Sequence, residues 1–258
     1  MFRVRPLLAL ALVVAQVAWS SAALAQACAI RSDLLLCGAS DRPLSGLHTG
    51  SYNEVSSCAP DGNTQAMFVS RNGTISGNGA AWLAYLNAGG RIITEYSIGA
   101  KVYNEIYGTS YADGSQAGGC ADGPMPSAKL NLSNPFWVQN PIPPTPSGQE
   151  GCGFDLAALV AGEPTVTALG ARAADTSFIN FAIRPQGAGT LFLLEADWQD
   201  TNTVPLDANN LAFLDALISA CGTAPVRVRS VASVPVDGTF ALGALAALLG
   251  LLGAAFAS

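Results

Sequence analysis

Four acidic residues carry the strongest hint of chemistry in this chain. Glu95 follows Arg91-Ile-Ile-Thr94, and Glu195, Asp197 and Asp200 follow Thr190-Leu-Phe-Leu-Leu194. A carboxylate at the end of a buried strand can act as a general base when burial or a like-charged neighbour raises its pKa. Glu95 and Asp197 are therefore the candidate catalytic pair, suited to hydrolysis with or without a metal. Glu195, Asp197 and Asp200 are the candidate metal ligands, because calcium takes carboxylate and carbonyl oxygens. Asp113 and Asp122, set among glycines, invite the same reading. A plainer reading stands beside each: a carboxylate hydrogen-bonded at a sheet edge, or a solvated acidic loop without the Asp-x-Asp-x-Asp-Gly calcium spacing. The only histidine is His48, in a loop, so a Ser-His or Cys-His relay would need it to arrive from elsewhere. No cofactor motif is present, and no cofactor is expected.

Aromatic residues supply a second kind of candidate. Tyr103, Tyr107 and Tyr111 are spaced by four and suit either sugar stacking or the buried face of a helix. Phe136-Trp137, after Asn134-Pro135, reads as a binding edge or as an anchor fixing a long loop to the core.

The six cysteines, at 28, 37, 58, 120, 152 and 221, include no Cys-x-x-Cys pair. With one histidine they favour disulfides in an exported chain over a zinc site. Cys120 and Cys152 bracket the longest irregular stretch, so they are the first expected pair. Cys28, Cys37, Cys58 and Cys221 supply the other candidates.

Both ends of the chain point to export. Residues 1–25 combine Arg3 and Arg5, an apolar run from Leu7 to Ala18, and small residues at Ala23 and Ala25. That is the pattern of a signal peptide cut by signal peptidase between Ala25 and Gln26, with a cut after Ala27 as the second choice. At the other end, residues 234–258 begin Val234-Pro235-Val236-Asp237-Gly238 and continue as an uncharged Ala, Leu, Gly and Phe stretch. About 20 such residues suffice to span a bilayer. The chain carries a formal charge of −6, and loss of the leader would remove two cations more. An acidic chain with scattered cations lacks the basic patch that nucleic acid requires. Only 12% of residues are charged, so solubility rests on Ser, Thr, Asn, Gln and Gly.

Residues 26–222 are long enough for one domain with a substantial core, joined by a linker at 223–233 to the tail. Leu34–Cys37 and Ala66–Val69 are continuous apolar runs, as in strands buried on both faces. Asn78 can cap a helix carrying Ala81, Trp82, Tyr85 and Leu86, which ends at Gly89-Gly90. A strand over 91–96 and a helix over 100–107 follow. Residues 38–63 and 108–153 read as loop, the second rich in glycine and proline. Order returns with a short apolar stretch over 156–160 and then Pro164–Leu169, and strands are predicted near 177–184 and 190–195, with 185–189 as a turn. Ile179, Phe181 and Ile183 are placed on one face by strand alternation. A last helix starting at Asn209 or Asn210 puts Leu211, Leu214, Leu217 and Ile218 on one side. Strand–helix–strand units with glycine stops argue for an α/β fold.

The segments Trp82-Leu-Ala-Tyr-Leu-Asn-Ala-Gly-Gly-Arg-Ile-Ile-Thr94 and Gly187-Ala-Gly-Thr-Leu-Phe-Leu-Leu-Glu-Ala-Asp-Trp198 resemble class I glutamine amidotransferase-like domains, including the trehalose-utilisation type. The resemblance spans roughly residues 33–221 and implies a flavodoxin-like layered sheet. It carries over no activity. Those enzymes place a nucleophilic cysteine at the turn after the strand that follows Gly-Gly, where this chain has Glu95-Tyr96-Ser97-Ile98-Gly99. Near the expected position of their partner histidine stand Asp197 and Trp198.

Val234–Gly238 and the apolar stretch after it resemble bacterial sorting tails processed by exosortase-type membrane proteases, closest to the subtype with an Ile-Pro-Thr-Leu motif. Those tails end in arginines that fix orientation, and this one ends Phe256-Ala-Ser258. A permanent membrane anchor and a eukaryotic lipid-anchor signal are the other readings of the same residues. Under the last, Asn72-Gly-Thr74 and Asn131-Leu-Ser133 would be glycosylation acceptors. The functional expectation is an exported, envelope- or surface-associated non-catalytic domain that binds a glycan or another envelope component. The alternative is a hydrolase or metal-assisted enzyme using Glu95 and Asp197.

Overall fold

The computed structural model describes residues 31–39, 42–114, 127–142, 154–195, 197 and 208–220. Met1–Ala224 form one compact unit, and Pro225–Ser258 group separately. The expected leader with Ala25 and Gln26, the expected linker at 223–233, the expected tail with Val234–Gly238, and Cys28, Cys120, Cys152, Cys221, Asp122 and Asp200 lie outside the described residues. Among the described residues no helix is long and apolar enough to cross a membrane.

The fold is α/β, as the alternating elements predict. Its strands are β1 (Asp33–Cys37), β2 (Asn53–Ser56), β3 (Thr64–Val69), β4 (Arg91–Ile93), β5 (Ser127–Lys129), β6 (Thr167–Arg172), β7 (Asp175–Gln186) and β8 (Gly189–Leu194). The helices are α1 (Gly79–Asn87), α2 (Gly99–Tyr107), α3 (Pro135–Gln139), α4 (Ala157–Gly162) and α5 (Ala208–Ser219). One mixed sheet runs β2-β1-β3-β4-β8-β7-β6-β5. β2, β1, β3, β4 and β8 pair in parallel, whereas β8, β7, β6 and β5 pair antiparallel.

The parallel strands are apolar throughout because both faces are covered. Along β3, Ala66 and Phe68 join Phe213, Leu214 and Leu217 of α5 in one core layer. Met67 and Val69 join Trp82 and Leu86 of α1 and Val102 and Tyr103 of α2 in the other. Trp82, Leu86, Ile92, Ile93, Phe181, Phe192 and Leu214 are all buried. They are split between the layers: Trp82, Leu86 and Ile92 lie on the α1–α2 side and the other four on the α5 side. Phe136 and Trp137 lie in the core, and the Trp137 Nε1–H donates to the Leu130 carbonyl at 2.9 Å. This pair anchors its loop. Tyr103 and Tyr107 pack around Arg184, and the Tyr111 hydroxyl donates to Glu163 at 2.9 Å.

The Gly-Gly step after α1 has two separate physical reasons. Gly89 takes φ 93°, open to glycine at little cost. At Gly90 a Cβ would fall 2.4 Å from the Tyr85 ring, whose hydroxyl donates to the Thr64 carbonyl at 3.2 Å.

Several expectations are corrected. The segment 38–63 holds a 3₁₀ turn, Leu44–Gly46, and the exposed edge strand β2. The segment 108–153 contains β5 and α3. Asn78 precedes α1 without capping it, because its Nδ2 donates to the Thr74 carbonyl at 2.8 Å. Ile179 lies in the α1–α2 layer while Phe181 and Ile183 lie in the α5 layer, and the β6–β7 register shifts at three places nearby. β7 runs on through Pro185, beyond the last β6 partner at Ile183, where no N–H is needed for that ladder. In α5, Leu211 is only half-buried and Phe213 supplies the larger buried side chain. The disulfide among the described residues is Cys37–Cys58, and Trp82 Nε1–H donates to the Cys58 carbonyl at 2.8 Å.

Candidate functional site

The carboxyl ends of β3, β4 and β8 bring Arg71, Glu95 and Asp197 together. Thr94, just past β4, clips that strand to β8: its N–H donates to the Phe192 carbonyl at 3.0 Å, and its hydroxyl accepts from the Leu194 N–H at 3.1 Å. The residues that follow, Glu95 and Glu195, are thus held beside each other at the sheet edge. The Arg71 N–H donates to Glu95 Oε1 at 2.8 Å, and Arg71 Nη1 pairs with Asp197 Oδ2 at 3.0 Å. The Asp197 side chain is 2% exposed and that of Arg71 is 30% exposed. The two candidate carboxylates therefore meet through one arginine.

Tyr96 completes this edge. Its φ is 46°, a left-handed conformation unusual for an aromatic residue and a mark of functional or structural constraint. The Arg71 guanidinium lies 5.3 Å from the Tyr96 ring centroid, and the Phe154 ring packs edge-to-face with Tyr96, 5.0 Å between centroids at 74°. All three side chains are half-buried. They form a partly open platform of aromatic surface and one cation, with the geometry for stacking on a planar group or a sugar ring.

Glu195 has a different part. It is 1% exposed and lies against the start of α2, where a Cβ on Gly99 would stand 1.9 Å from Glu195 Oε1. Burial drives its pKa well above the ordinary carboxylate range, with Asp113 and Glu95 adding to the rise; the Gly99 N–H and Lys101 oppose it. Lys101 is itself paired with Asp113 at 3.0 Å. Three buried acids beside one arginine make a neutral Glu195 the cheapest way to relieve like-charge repulsion. A neutral carboxyl here can donate a hydrogen bond, and its burial keeps it from a solvent-borne substrate.

Among the described residues no three His, Cys, Asp or Glu side chains are placed to hold an ion. Glu195 and Asp197 are occupied as above, and Asp200 is outside the described residues. Asp113 is held by Lys101.

His48 does not join the acidic edge. It sits near the amino ends of β1 and β2, beside a cavity of about 500 Å³ lined in part by Ser45, Tyr52 and Glu54. Its Nε2 is 3.5 Å from Glu54 Oε1. A relay between His48 and Glu95 or Asp197 is therefore excluded by placement. No protein-family profile, curated protein or solved structure matches this chain.

Proposed function

We propose that this chain is an exported, envelope- or surface-associated, non-catalytic domain that binds a glycan or another envelope component at the carboxyl edge of its parallel strands. The observation that carries the reading is Tyr96. At the turn where amidotransferase-like enzymes hold a nucleophilic cysteine, a strained tyrosine packs against both Arg71 and Phe154. A flavodoxin-like, amidotransferase-like scaffold is supported by the parallel order β2-β1-β3-β4-β8. It equals the flavodoxin-like order with β5–β7 inserted before the last parallel strand. The Cys37–Cys58 disulfide suits an oxidising compartment.

Glycan-array binding by the exported chain tests the reading. Replacing Tyr96 with Ala should weaken the bound glycan about tenfold, near the upper end of what one aromatic stack contributes. Unchanged affinity in a folded Tyr96→Ala variant would remove the Tyr96 platform from the reading.

Delivery rests on the two termini, with signal peptidase and an exosortase-type protease as the processing partners and the membrane as a transient stop. The mass of the C-terminal peptide should show loss of everything beyond the Val234–Gly238 motif. Changing Pro235 and Asp237 together to Ala should retain the tail without affecting export. Recovery of an intact Phe256-Ala-Ser258 terminus on the exported protein would eliminate processing and favour a permanent anchor.

The alternative, a hydrolase using Glu95 and Asp197, draws on their common attachment to Arg71. It requires turnover that Glu95→Gln and Asp197→Asn each abolish while the Tyr96→Ala variant keeps its fold.

A further inference from the structure

A second site stands at the opposite end of the strands, and its centre is the one histidine. The loop that carries His48 is built rather than loose. Leu44 and Leu47 are buried in the α5-side core. Thr49 donates from its N–H to Asp215 Oδ1 on α5 at 3.0 Å, and its hydroxyl donates to Asp215 Oδ2. Between these anchors the His48 side chain is only 5% exposed. Its Nε2 faces Glu54 Oε1 at 3.5 Å, short of a hydrogen bond, and its Nδ1 has no hydrogen-bond partner. Leaving a buried polar atom unsatisfied costs about 1–3 kcal/mol, which a bound ligand would recover.

The surroundings say what kind of ligand. Tyr52 meets the imidazole edge-on at 5.3 Å and 76°. Glu54, Ser45, Ser51 and Asn53 line the same wide-mouthed surface pocket of about 500 Å³. The imidazole offers ring-nitrogen hydrogen-bonding groups, serine hydroxyls both donate and accept, and Glu54 accepts. A ligand hydroxyl matches all of them, since it donates and accepts at once. An amine would serve Glu54 but cannot accept a hydrogen bond from an imidazole N–H or a serine hydroxyl when charged. Phosphate or sulfate would meet Glu54 with no lysine or arginine among the described lining residues. The Tyr52 ring supplies an apolar face for the C–H side of a sugar.

We propose that the His48 cavity is a binding site for a small neutral polyhydroxylated ligand, a mono- or disaccharide. This does not rest on the Tyr96 reading, since the two sites lie at opposite ends of the strands. The test uses the exported chain without a histidine tag, titrated calorimetrically with glucose, galactose, N-acetylglucosamine, maltose, cellobiose and chitobiose. Putrescine and inorganic phosphate serve as cation and anion arms. At least one saccharide should bind. His48→Ala and Glu54→Gln should each weaken it tenfold or more. His48 is the sole histidine, so its ring signals in a nitrogen-correlated NMR spectrum belong to one residue. The bound saccharide should shift them, which keeps the test sound even if His48→Ala fails to fold. The proposal is overturned if no saccharide binds, if only putrescine or phosphate does, or if the His48 signals stay still during a positive titration. It also fails if Tyr96→Ala abolishes the binding, which would move the ligand to the other end of the sheet.

Discussion

Replacing Ile93 with Asp is expected to leave no cooperatively folded domain. Ile93 is fully buried in β4, between Phe68 of β3 and Phe192 of β8 in the strand register, and belongs to the core layer beneath α5. Removing a buried isoleucine side chain costs about 2–5 kcal/mol. Burying a carboxylate with no partner costs several kcal/mol more, or forces it to take up a proton. Together these approach or exceed the roughly 5–15 kcal/mol that hold an ordinary domain folded. Ile93→Val keeps the shape and should cost only about 0.5–1.5 kcal/mol. Urea unfolding followed by near-ultraviolet circular dichroism separates the two. A soluble Ile93→Asp chain with a sharp transition would mean that β4 does not lie between β3 and β8.

The elements that were legible in the sequence are those whose pattern follows from burial. β3 and β8 read as continuous apolar runs because helices cover both faces of the sheet. The Gly89-Gly90 stop read correctly because a positive φ and a close tyrosine ring both demand glycine. β2 was not legible: Asn53-Glu-Val-Ser56 is exposed along its whole length, so nothing in its composition distinguishes an edge strand from a loop. The one-face placement of Ile179, Phe181 and Ile183 failed because strict alternation assumes an unbroken register, and β6–β7 shifts three times.

The site divides in the same way. Glu95 and Asp197 could be nominated because a carboxylate directly after an apolar run signals a strand end. Arg71, which ties them together, could not. Its role depends on which strands are neighbours, and the β3-β4-β8 order is a long-range property. The strain at Tyr96 left no trace in residue type either, since tyrosine is not a residue that signals a left-handed turn. The paired roles of Glu195 and Gly99 are equally non-local. Nothing in the sequence says that a carboxyl from β8 will occupy the space that a side chain on Gly99 would need.

That packing makes stability depend on pH in a direction opposite to ordinary acid denaturation. The folded state holds the Glu195 proton well above the ordinary glutamate value of 4.5, chiefly through burial. The native state therefore binds more protons than the unfolded chain over the range between those two values. Stability is full below pH 4.5 and falls as pH rises through that range, with a slope of up to about 1.4 kcal/mol per pH unit for one proton. Asp61 and Asp175, held below the ordinary range chiefly by hydrogen bonds from Asn63 and Ser177, act the other way and only in more acidic solution. Glu195→Gln keeps the shape and an acceptor for the Gly99 N–H but has no proton to lose. Its unfolding free energy should therefore equal that of the native chain near pH 4 and exceed it increasingly towards pH 8. Gly99→Val should be destabilising at both pH values, because its side chain would start 1.9 Å from Glu195 Oε1 and 3.0 Å from its Cδ. Overpacking of that kind costs about 1–3 kcal/mol. Urea titrations of the three proteins at pH 4, 6 and 8 give the comparison. Parallel pH profiles for the native chain and Glu195→Gln would show that Glu195 is ionised in the folded protein, and that the acid at the start of α2 is balanced by a charge rather than by a proton.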